Sequence, residues 1–175
     1  LESIYDINRF WSVGIDFENI DEDFDNNDFG YIYRNNIKSY NVNMKYQDLE
    51  PSKQFQEKSF SLKIAEKENN SKKLKLNSSI VLDISGILKD NSYISLGFSK
   101  YKDAFNDRLI YDYKEDELGI AMFVPSSYGG YINWGSDSRL INAFSLGLGW
   151  GKNEIKDWGY NIQYSHTYRP QYNMQ

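Results

Sequence analysis

Strict two-residue alternation between large apolar and small polar side chains is the feature that most limits what this chain can become. It is plainest near the C-terminus, in Ala143–Gly151 and Trp158–Tyr168. Successive side chains of an extended strand point to opposite faces, so such a segment builds one apolar and one polar face only as a strand. Helical coiling would scatter both sets around the cylinder.

The same period recurs along the chain. In Phe10–Glu18, Trp11, Val13, Ile15 and Phe17 oppose Ser12, Gly14 and Asp16. Ile37–Gln47 sets Tyr40, Val42, Met44 and Tyr46 against Asn41, Asn43 and Lys45. Glu57–Lys67 alternates around Phe60, Leu62 and Ile64, and Lys72–Ser85 keeps Leu74, Leu76, Ile80, Leu82 and Ile84 on one parity. Ser92–Tyr101 sets Ile94, Leu96 and Phe98 against Ser95, Gly97 and Ser99.

Turn chemistry separates these runs. An acidic loop occupies Asn19–Asp28, then Phe29–Arg34 reads as a short strand and Asn35-Asn36 as a tight turn, because Asn tolerates positive φ. Leu49–Gln56 is a loop with Pro51, and Asn69–Ser71 turns the chain. Arg108–Tyr113 and Glu117–Val124 read as a hairpin across Lys114–Asp116. Pro125–Ser138 reads as a long Gly/Ser/Tyr loop with a short strand at Tyr131–Trp134, and Lys152–Asp157 joins the final pair. No repeat or linker divides the chain. The expectation is an all-β, single-domain, antiparallel up-and-down meander of about eight to twelve strands over residues 1–175, with a part of a larger barrel or complex as the alternative.

Composition excludes several functions. A net charge of −5 argues against a nucleic-acid partner, and Lys72, Lys73 and Lys75 read as a solvated strand end. Without cysteine there is no disulfide, thiolate metal site or cysteine nucleophile. No run reaches the roughly 18 apolar residues of a membrane helix, whereas a membrane strand needs only about 9–11 with one apolar face. The opening Leu1-Glu2-Ser3 reads as a mature or trimmed product.

Alternation does not say whether the apolar face meets lipid or a protein core; the polar face discriminates. In the last two strands it carries Ser145, Gly147, Gly149 and Gly151, then Gly159, Asn161, Gln163, Ser165 and Thr167, with no charge. Small uncharged residues suit the crowded lumen of a small membrane barrel. The opposite face places aromatics near both ends with aliphatics between them. Three features fit a water-soluble sheet instead. Lys63, Lys73 and Lys75 fall on polar faces, the strands around Phe60–Ile64 and Ile94–Phe98 offer only short apolar stretches, and Pro170–Gln175 has no terminal aromatic.

The pattern FSLGLGWG followed by WGYNIQYSHTYR resembles the outer-membrane β-barrel class. The resemblance implies residence in the outer membrane of a Gram-negative bacterium, with the lipid bilayer as partner and a role as pore, anchor or subunit of an assembly with other outer-membrane or periplasmic proteins. The expectation is a non-enzymatic transmembrane barrel acting as a structural, anchoring or assembly component, or as a small pore. The alternative is a soluble periplasmic or secreted β-barrel or sandwich that binds a ligand or protein.

No residue is assigned to catalysis, a cofactor or a metal. His166 is the only histidine, and its neighbour Ser165 points to the other face of the strand. Asp21, Asp23 and Asp25, with Asp28 nearby, have calcium-loop spacing, but Asn26 and Ile32 replace the required glycine and glutamate. They read as a solvated acidic loop. Gly147, Gly149 and Gly151 lie at alternate strand positions with no following helix, so they make room for neighbours rather than bind phosphate. Pro125–Gly130, with Tyr128, Tyr131 and Trp134 close by, reads as a surface loop, and a carbohydrate or protein contact there is the functional alternative.

Overall fold

The computed structural model describes residues 2–24, 35–107, 111–112, 117–118, 121–155 and 158–170. The alternating segments form one nine-stranded antiparallel sheet. Its strands are β1 (Glu2–Asp6), β2 (Trp11–Ile20), β3 (Ile37–Asp48), β4 (Phe55–Asn69), β5 (Lys75–Leu88), β6 (Tyr93–Tyr101), β11 (Ser127–Gly135), β12 (Asn142–Asn153) and β13 (Gly159–Tyr168). Between β6 and β11 lie four short strands. Of these, β7 (Ala104–Asn106) pairs with β10 (Met122–Val124), and β8 (Tyr111–Asp112) pairs with β9 (Glu117–Leu118).

The sheet runs β1-β2-β3-β4-β5-β6-β11-β12-β13 and does not close on itself: β1 and β13 each have one neighbour among the described residues. The chain therefore forms a meander and an open wall. Nor does it make a packed interior. Only Ile37, Ala65 and Ala104 are buried apolar residues among those described. The chain exposes 13148 Å², where a compact monomer of 20.6 kDa exposes about 8,900 Å². The sheet is a single layer with both faces open.

Several sequence expectations change. Tyr5 and its neighbours form an added edge strand, β1, paired from Glu2↔Asp16 to Asp6↔Ser12. The expected loop Pro125–Ser138 is instead largely strand: β11 sits between β6 and β12 and pairs with both along its length. Its glycines hid it, because Gly weakens intrinsic strand preference. Neighbouring rings replace the missing side chains. A Cβ on Gly130 would lie 2.8 Å from the Trp150 indole, and one on Gly135 would collide with the ring of Tyr93.

Lys72 and Lys73 belong to the turn before β5 rather than to a strand, and Lys73 has a left-handed backbone with φ 52°. The expected hairpin after residue 107 is split. Tyr111–Asp112 does pair with Glu117–Leu118, but Met122–Val124 turns back to Ala104–Asn106. The expected strand Phe29–Arg34 and the turn Lys114–Asp116 lie outside the described residues. Asn36 does take the positive φ expected of it, at 55°.

Candidate membrane interface

Register decides which side chains share a face. Trp11 lies opposite Tyr46, Tyr46 opposite Phe60, and Phe60 opposite Ile84. The same row continues through Leu96, Ile132 and Leu148 to Ile162. The next row runs from Tyr5 and Val13 through Met44, Leu62 and Leu82 to Phe98. Separate alternations thus merge into one apolar face spanning all nine strands. Its residues are solvent-accessible: Ile84 is 42% exposed, Leu148 41% and Ile162 76%.

Aromatic rings collect at the two borders of this face, with Val, Ile, Leu and Met between them. At one border Trp11 packs on Tyr46 (4.9 Å between centroids) and Phe60 (6.0 Å), and Phe144 packs on Tyr164 (6.5 Å). At the other, Phe17 meets Tyr40 (5.1 Å), and Trp150 gathers Phe98, Tyr128 and Trp158 within 6.4 Å. Charge begins just outside. Lys38 lies over Tyr40 and Lys152 over Trp158, with Nζ 5.3 and 5.7 Å from the ring centroids. At the opposite border Lys58 pairs with Asp48 at 3.1 Å, directly beyond Phe60 and Tyr46. An aliphatic band between aromatic belts and charged rims is the profile demanded by an apolar slab with wet boundaries.

The band also slants. On β2 it covers Trp11–Phe17; on β12 it covers Phe144–Trp150. Trp11 shares its row with Leu148, so the band has slid by two rows across six strand steps. With roughly 3.4 Å per residue and 4.8 Å between strands, this is a tilt of about 25°. Strands of a barrel wall are tilted in this way against a flat slab.

The other face is polar and tightly fitted. Ser59 hydrogen-bonds Ser85 and Ser145 hydrogen-bonds Ser165, both at 2.6 Å. Asn41 Nδ2 donates to Asp16 at 2.9 Å. Tyr131 lies across Gly97 and donates its hydroxyl to Asp83 at 2.7 Å. Gly147 and Gly149 sit beneath Asn133 and Asn161, whose side chains occupy the places where a Cβ would go. These glycines make room for neighbours, as the sequence suggested. Lys45 and Lys63 share this face and are exposed.

The connections sort by end. At the end where β2 begins they span residues 7–10, 49–54, 89–92 and 136–141, all short. At the opposite end they span 21–36, 70–74, 102–126 and 154–158, which includes both long ones. The longest connection folds back on the sheet: Lys102 N–H donates to Ser78 O (2.9 Å) and Asn69 Nδ2 to Asp107 (3.1 Å).

His166 stacks on Phe144 at 4.6 Å, and its Nε2 lies 3.1 Å from Asn142 Oδ1. Ser165 is on the opposite face, bonded to Ser145. The two do not meet. Asp21 caps the Glu22 amide at 2.7 Å, while Asp25 and Asp28 lie outside the described residues. No three potential metal-ligating acids, histidines or cysteines cluster among the described residues.

Residues 3–175 match the family model of a domain of unknown function, DUF5916. The chain belongs to that family. No curated protein and no solved structure matches it.

Proposed function

We propose that this chain forms part of the wall of an outer-membrane β-barrel and acts as a structural, anchoring or assembly component. The observation that carries the reading is the single apolar band, edged by aromatic clusters at both borders on the strands flanking β5 and slanted from β2 to β12. A soluble single-layer sheet has no reason to keep aliphatics between two belts, and an uncovered apolar face this wide promotes aggregation in water. Trp11–Phe17 spans about 20 Å along the strand, close to the ~25 Å lipid-facing height of such barrels. Both long connections lie at one end and only short ones at the other, in keeping with the division between external loops and periplasmic turns.

Lys45 and Lys63 on the polar face favour a second reading, in which a water-soluble sheet covers its apolar face with a protein partner. Fractionation separates the two. The protein should sediment with outer membranes and require detergent for extraction. A monodisperse, detergent-free monomer would overturn the membrane reading.

A further inference from the structure

We propose that β1 and β13 are joined by an odd number of further antiparallel strands from the same polypeptide, which complete a barrel of even strand count. The inference rests on the membrane reading and deepens it. In a nine-stranded antiparallel meander the first and last strands run in the same direction. Direct closure of β13 on β1 would create one parallel pair in an otherwise antiparallel wall. Bacterial single-chain barrels are antiparallel with even strand numbers.

The edges cannot remain as they are in lipid. β13 is a ten-residue strand whose outer side has no sheet neighbour among the described residues. Unpaired N–H and C=O groups find no water to bond in hydrocarbon, so open edges do not occur there. A second copy does not solve the problem. Inserted in the same orientation, it too offers only strands that run like β1 and β13. The occupant must run the other way, from the end with short connections to the end with long ones.

That direction suits a covalent continuation. A strand running this way can follow β13 through a short turn, or precede β1 through a connection at the long-loop end. Its chemistry is set by β13: apolar side chains beside Tyr160, Ile162 and Tyr164, and small or polar ones beside Asn161, Gln163 and Ser165. One added strand gives the smallest closed wall, and three the next.

The test places a photo-crosslinking phenylalanine derivative at Gln163 in the full polypeptide as the cell makes it. Membranes are irradiated and the crosslinked peptides mapped by mass spectrometry. A matching variant at Asn133, which should capture β6 or β12, shows that the sheet is formed. The expected product at Gln163 is an intramolecular crosslink to a segment outside residues 1–175. A crosslink to residues 2–6, to a second copy or to another protein would overturn the proposal, as would no edge crosslink while Asn133 reacts. The same samples are scored for sedimentation with membranes. A soluble polypeptide removes the membrane reading and this inference together, whereas a membrane-bound one crosslinked to residues 2–6 removes only the inference.

Discussion

Tyr131 reaches across Gly97 to donate a hydrogen bond to Asp83, tying β11 to β5 over the intervening β6. The bond exists because Gly97 has no side chain: a Cβ there would occupy the tyrosine ring. Replacing Gly97 with Val should therefore cost roughly 1–3 kcal/mol through overpacking. Tyr131→Phe should cost about 1 kcal/mol by removing this solvent-accessible hydrogen bond. Urea unfolding in detergent measures both. Because Gly97→Val already displaces Tyr131, the double variant should lose less than the sum.

Leu148 lies mid-band on the apolar face, and Lys152 lies on the same strand beyond Trp150. In vesicles, Leu148→Arg should destabilise the fold by about 2–4 kcal/mol, because a cation at the bilayer midplane is desolvated. Lys152→Arg should change it by less than about 1 kcal/mol, since the rim is wet. Equal, small effects from both would argue that water, not lipid, meets this face.

The two ends of the sheet make a topology prediction. The chain has no cysteine, so single introduced thiols report cleanly. Lys102→Cys lies in the longest connection and Lys53→Cys in a short one at the other end. A membrane-impermeant maleimide applied to intact cells should label the first and spare the second. Labelling of Lys53→Cys alone would reverse the assigned orientation.

In the 136–141 connection, the Arg139 side chain and backbone N–H both bond Asp137, at 2.7–3.1 Å. The Arg139 side chain, then its amide, lowers the Asp137 carboxyl from 3.8 to about 2. A carboxyl depressed in the folded state adds stability above its ordinary pKa, and this stability is lost as pH falls through the folded value. The Arg139 amide resonance should therefore move with a midpoint near pH 2. In Asp137→Asn the movement should disappear.

Lys73 holds φ at 52° in the turn between β4 and β5. A side chain in that left-handed region costs on the order of 1 kcal/mol, and glycine relieves it. Lys73→Gly should raise stability by about 0.5–1 kcal/mol, measured by urea unfolding, after allowance for the added freedom of the unfolded chain. A loss of stability would show that the lysine side chain contributes more than its backbone strain costs.

Much of this molecule is legible in its alternation. Trp11, Val13, Ile15 and Phe17 share a face by parity alone, as do Phe144, Leu146, Leu148 and Trp150. Parity also separates Ser165 from His166. These are local consequences of how an extended backbone directs its side chains. β11 is illegible for a non-local reason. Its glycines look like loop until Trp150 and Tyr93 from adjacent strands cover them, and β1 is too short and mixed to show a period.

What the sequence determined by itself is that each strand has an apolar and a polar side. Strand pairing sets how those sides join: that Trp11 and Leu148 share a row, that aromatics cluster at both borders, and that the two long connections share an end. It also leaves β1 and β13 as the two edges of these nine strands, running the same way. Those properties depend on pairing partners distant in the chain, and alternation carries no information about which strand a strand will meet.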